Sequence, residues 1–186
     1  MTGEPKARIF SVIDNEQFAL IGSDAHEAYH IPMKEATRTV KFVRDPGFFV
    51  VVDRMTTGDT KTHSFASRLH LNNEDGKGRL KQEAPGLWRF ERPRAGLTIA
   101  LWANCSTTYS QENGYMHGGG SRDYSPGGPN EGKPGSAIEM VFCNAEPREE
   151  VEYVMVLFPT RTSDMKPEIT FSNGELIVNG INVDIQ

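Results

Sequence analysis

The side chains best suited to chemistry are few and scattered. The five histidines are His26, His30, His63, His70 and His117, and none has the helical His-Glu spacing of a zinc hydrolase. Asp53 is the most informative acid. It follows the apolar run Phe48–Val52, and a carboxylate ending a buried strand needs a partner. A hairpin centred on Gly58 would set Asp53 opposite His63, where cross-strand neighbours lie about 5 Å apart at Cβ. That placement has two readings: a structural contact to His63 or Arg54, or part of a metal site that also uses His70. One flat hairpin cannot bring Asp53, His63 and His70 together, because the strand period puts the two histidines on opposite faces.

A second region lies between Ser110 and Ser136, where eight glycines and three prolines interrupt any strand pattern. Long structureless stretches of this kind are uncommon and are often functional. Tyr115, His117, Arg122 and Tyr124 fall here. Aromatic faces and hydrogen-bonding groups of these types suit sugar binding, and the alternative is an ordinary solvated loop. Gly118-Gly119-Gly120 does not join a strand to a helix, so it is not a phosphate-binding loop. No Ser-His-Asp or Cys-His pattern is visible.

The elements that must position these residues are short strands separated by turn chemistry. Candidates are 7–13, 18–22, 26–31, 38–44, 48–52, 62–71, 87–92, 96–103, 137–143 and 151–158. In the first, Ile9 and Ile13 fall on one face and Phe10 and Val12 on the other. Asp45-Pro46-Gly47 supplies a tight turn, and Asn173-Gly174 and Asn179-Gly180 read as hairpin turns. No window shows a sustained helical period. The prediction is all-β: a large antiparallel β-sandwich with little or no helix, forming one domain over 1–186 with a Gly-rich loop at 110–136. The Phe48–Val52 run and the 151–158 segment are apolar on both faces, so each needs cover on both sides. A third layer built from the N-terminal strands or the long loop would supply it, as would strong curvature. Failing those, the cover comes from a partner.

With 186 residues and a net charge of -5, the chain is long enough for a core and lacks the basic face a nucleic-acid binder needs. No apolar run approaches the length of a membrane helix, and the N-terminal residues do not form a secretory signal. Cys105 and Cys143 are expected as buried thiols, a single disulfide being the alternative.

The segment from Ala36 to Val43, the Pro-Gly turn and then Phe48-Phe49-Val50-Val51-Val52-Asp53-Arg54 resemble heparinase II/III-like polysaccharide lyases. So do Thr62-His63-Ser64-Phe65 and Arg68-Leu69-His70-Leu71. The likeness is best over about 25–72 and keeps its order to the strand ending in Pro159. It implies the β-sandwich that follows a helical toroid in such enzymes, which cleave uronic-acid polysaccharides by β-elimination. No toroid fits in this chain, so the resemblance implies an accessory domain, with most catalytic residues elsewhere. The implied partners are an acidic polysaccharide and an N-terminal helical toroid of a parent chain, in a periplasmic or secreted setting. The implied zinc ligands are Asp53 and His70. Ala36 stands where several members have a ligating His, which predicts weak or absent zinc and no other cofactor. Two further readings remain open: a free-standing carbohydrate-binding sandwich using Tyr115, His117, Arg122 and Tyr124, and a non-catalytic interaction domain.

Overall fold

A computed structural model describes residues 6–114, 133–161 and 164–185. The chain is all-β. Its middle layer is an eight-stranded antiparallel sheet in the order β1-β2-β3-β4-β11-β8-β7-β6. The strands are β1 (Arg8–Asp14), β2 (Phe18–Asp24), β3 (Met33–Val43), β4 (Phe48–Thr57), β6 (Arg79–Ala84), β7 (Leu87–Arg92), β8 (Ala95–Ala103) and β11 (Glu150–Arg161). One face is covered by a three-stranded sheet, β5 (Ala66–Asn72), β10 (Ala137–Asn144) and β9 (Thr107–Gly114), in the order β5-β10-β9. The other face is covered by a C-terminal meander of β12 (Ile169–Ser172), β13 (Glu175–Val178) and β14 (Ile181–Val183). Among the described residues no helix is long and apolar enough to cross a membrane.

Alternation along β4 and β11 divides the core in two. Phe48, Val50, Val52, Val154, Val156 and Phe158 meet Leu176, Val178 and Val183 of the meander. Met55, Val151, Tyr153 and Met155 meet Met140, Phe142 and Leu71 of the other outer sheet. Trp88 and Phe90 share the second core with Ile99 and Leu101, with Leu97 packed against it, as the period of two requires. The two-sided apolar strands are therefore covered on both faces by the chain itself, except at Phe49, which is 36% exposed. Among the described residues the third layer is the C-terminal meander, and the N-terminal strands instead pair at the edge of the middle sheet; most of the long loop lies outside the described residues. Its two Asn-Gly turns close because Asn173 (φ 53) and Gly174 (φ 80), then Asn179 (φ 49) and Gly180 (φ 78), all take the left-handed conformation of a type I′ turn.

Five expectations about local structure are corrected. Residues 26–31 do not form a strand; His26–Ala28 is a single 3-10 turn, whose first amide is taken by the Asp24 carboxylate at 3.0 Å. The strand placed at 62–71 begins only at Ala66 and belongs to an outer layer. The connection after Thr57 crosses between layers instead of folding back as a hairpin, and His63 bridges Arg148. Residues 107–114 continue as a strand because β10 pairs along their whole length, so the Gly-rich stretch begins later than composition suggested. Finally, a bulge between Ile9 and Ser11 shifts the phase of β1. Ile9 lies across from Ser23 and Val12 across from Ile21, and these two now share a face. Sequence inspection also overlooked β6, which is polar along most of its length.

Candidate functional site

The geometry that stands out is centred on Asp53. β4 lies between β3 and β11, so Asp53 is opposite Arg38 on one side and Tyr153 on the other, not opposite His63. The carboxylate is buried, at 5% exposure, and accepts three short hydrogen bonds. Arg38 donates from Nε at 2.6 Å and from Nη2 at 2.7 Å, and Ser67 Oγ donates at 2.6 Å. Arg38 Nη2 also reaches Ser67 Oγ at 3.4 Å. The fork of a guanidinium matches both oxygens of a carboxylate, which is why a bidentate pair forms here. Hydrogen bonding to Asp53 raises the Arg38 pKa further, against the opposing effect of its partial burial. Arg38 is nonetheless about half exposed at the side chain, 47% against 8% for Asp53.

This ion pair forms one wall of an open cleft of about 260 Å³, lined also by Tyr29, Ala36, Thr37 and Ala66. Three things meet at the cleft: a fixed cation, a half-exposed phenol on Tyr29 (50% exposed) and a small side chain at Ala36. The arrangement suits recognition of an anionic, hydroxyl-bearing ligand. It is poorly suited to proton abstraction by Asp53, whose two oxygens are both engaged by donors.

The structure separates the residues that the sequence grouped as metal ligands. On β5 the side chains of Ser67, Leu69 and Leu71 turn inward, and His70 is on the opposite, outer face. There its Nδ1 lies 3.7 Å from Glu139 Oε1, beside Arg68 at 3.5 Å from the same carboxylate group. Asp53 and His70 therefore do not converge. Ala36 lies two residues before Arg38, across from Met55, and contributes to the core. Among the described residues no group of three or more His, Cys, Asp or Glu is arranged to hold a metal ion. His63 pairs with Asp59 at 3.4 Å, and Arg54 pairs with Glu152 at 2.7 Å, so neither is the partner of Asp53. Tyr115, His117, Arg122 and Tyr124 lie outside the described residues.

A second polar cluster went unnoticed in the sequence. Asp24, 8% exposed, receives the His26 ring nitrogen Nδ1 at 2.9 Å and Arg8 Nη2 at 3.3 Å. Burial alone would raise the Asp24 pKa. The His26 amide and ring and the Arg8 guanidinium outweigh that and hold it below the ordinary aspartate value. The signal available was Asp-x-His, a carboxylate two residues before a histidine at the end of a strand, which reads as a turn cap.

Cys105 and Cys143 are both partly buried free thiols. Tyr153 is almost fully buried at 1% exposure, and its hydroxyl donates to Phe65 O at 3.2 Å. Burial pushes its phenol pKa well up, so it is a structural tie between the layers. No protein-family model matches the chain, and no curated protein matches it significantly.

Proposed function

We propose that this chain is a non-catalytic sandwich module of a polysaccharide lyase acting on uronic-acid-containing polysaccharides, and that the Arg38–Tyr29 cleft is its sugar-facing surface. The observation that carries this reading is the half-exposed Arg38, immobilised by Asp53 and Ser67 at the wall of a cleft. Of its five N–H donors, those on Nη1 have no partner among the described residues. A preorganised guanidinium of this kind recognises carboxylates, and an adjacent phenol suits a pyranose ring face or hydroxyl. The likeness of residues 36–54 and 62–71 to heparinase II/III-like lyases adds the substrate class and the expectation of a helical domain beside the module.

A free-standing carbohydrate-binding domain is the second reading. It is favoured by the cover of β4 and β11 on both faces from within the chain, which leaves Phe49 as the exposed apolar residue of β4. The same experiment tests both. Purified chain is incubated with alginate and heparan sulfate oligosaccharides, and binding is measured by calorimetry while unsaturated product is followed by ultraviolet absorbance. Binding without product is expected, weakened about tenfold by Tyr29→Ala. Turnover lost on mutating a residue of this chain would overturn the non-catalytic reading. The absence of any binding would overturn the assignment of the cleft.

A further inference from the structure

The middle layer has eight strands, but the sheet over its Asp53 face has only three. Contacts fix where that cover lies. Ser67 of β5 sits on Asp53 of β4, and Tyr109 of β9 packs on Trp88 of β7, with ring centroids 4.9 Å apart. Among the described residues β1, β2 and β3 therefore extend beyond β5 with this face uncovered away from the Arg38 cleft. The open floor is apolar. Val12, Ile21, Val40 and Val51 form one cross-strand row, and Phe42 stacks on Phe49 in the next at 4.7 Å. Val12 is 70% exposed, Ile21 49% and Phe49 36%, whereas Val51, at the inner end of the row, packs against the core. The hydrophobic core continues outward and loses its lid.

Among the described residues β5 pairs with β10 alone. Asn73 donates its amide to Ser136 O at 2.8 Å. The uninterrupted register then turns the amides of Ser67, Leu69 and Leu71 toward β10, and those of Arg68 and His70 toward the open side. Leu69, inward-facing between buried Ser67 and Leu71, is only partly buried.

We propose that the free edge of β5 accepts an additional strand from a partner polypeptide, one that alternates apolar with acidic residues. Its apolar side chains would close the floor formed by Val12, Ile21, Val40 and Phe49. Its acidic ones would lie beside Arg68 and His70 on the outer face, which are 51% and 47% exposed at the side chain and share a single carboxylate, Glu139. Strand addition of this kind takes its affinity from main-chain hydrogen bonds and its specificity from alternate side chains. Among the edge strands β1, β5, β6, β9, β12 and β14, β5 is the one bordered by the apolar row of Val12, Ile21 and Val40, and the bulge in β1 is of the kind that blunts an edge. This inference rests on strand geometry and stands apart from the sugar-binding reading.

The probe is the blocked peptide Ac-(Glu-Val)4-amide, followed by fluorescence anisotropy and by amide hydrogen exchange of the full chain. In the free chain the Arg68 and His70 amides should exchange faster than that of Leu69, and saturating peptide should slow them about tenfold. His70→Pro removes an outward donor without touching the β10 ladder and should weaken binding about tenfold, whereas His70→Ala should not. Ile21→Asp, at an exposed position, should weaken it comparably and serves if the proline variant fails to fold. Exchange unchanged by peptide, or equal binding to wild type and Ile21→Asp, would overturn the proposal. Protection of the same amides by concentration-dependent self-association would also overturn it, by making the occupant a second copy of this chain. None of these readouts depends on the oligosaccharide titration, so the two readings fail separately.

Discussion

Removing Arg38 should destabilise the fold far more than neutralising Asp53, although both break the same ion pair. In Arg38→Ala the Asp53 carboxylate, at 8% side-chain exposure, keeps only the Ser67 hydroxyl. Stranding one member of a buried pair costs about 3–5 kcal/mol. Arg38 is half exposed, so water entering the vacated space offsets part of this and sets the expectation at about 3 kcal/mol. In Asp53→Asn the guanidinium can turn into solvent, and the amide still accepts from Ser67 or Arg38. The loss is then of charge-assisted hydrogen bonding, about 1–2 kcal/mol. For a chain of this size the two variants should melt about 6–12 °C and 2–8 °C below wild type. Urea unfolding followed by tryptophan fluorescence gives the free energies, and the double variant gives the coupling between the two side chains. Equal costs for the two single variants, or a cost below about 1 kcal/mol for Arg38→Ala, would show that Asp53 is not desolvated as described.

Further outcomes follow from the layers. Truncation after Arg161 removes the meander that covers Phe48, Val50, Val154 and Val156; the shortened chain should self-associate, and a stable monomer by sedimentation would contradict the three-layer core. Met140→Ala, at a fully buried position, should cost about 2–5 kcal/mol in urea unfolding. Gly86 has φ +72 and a Cβ added there would lie 2.8 Å from Leu101 O, whereas Gly174 has φ +80 and a Cβ there would meet open space. Gly86→Ala should therefore cost more than the roughly 1–2 kcal/mol of left-handed backbone strain expected of Gly174→Ala. The Asp24 pKa is depressed in the folded state, so its contribution is present above the unfolded aspartate value and is lost as pH falls through the folded value. Acid unfolding of Asp24→Asn should accordingly be flatter below about pH 4 than that of wild type, and superimposable acid limbs would contradict the assignment.

Much of the fold was legible because it rests on local rules. Alternation placed Trp88 and Phe90 on one face, Asn-Gly pairs placed the two terminal hairpins, and the two-sided apolar pattern of Phe48–Val52 and 151–158 demanded cover on both faces, from a third layer, curvature or a partner. Each of these follows from a period of two or from backbone conformations that a few residue types adopt cheaply. The strand β6, with its polar side chains, carried no such period. The bulge in β1 was equally silent, since a single extra residue inverts a face without altering composition.

The partner of Asp53 belonged to the other category. Sequence showed that a carboxylate at the end of an apolar strand needed company, and local spacing pointed to His63. Only the tertiary structure decided for Arg38 and Ser67, because it set β3 beside β4 and sent the chain after Thr57 across to another layer. The same crossing turned His70 to an outer surface and separated it from Asp53. Pairing between strands is a long-range choice, made by which apolar faces can be buried together. What a residue is could be read from the chain, and what it needs could be inferred from chemistry. Which neighbour answers that need depended on the order of strands in a sheet, fixed by burying all the apolar faces at once.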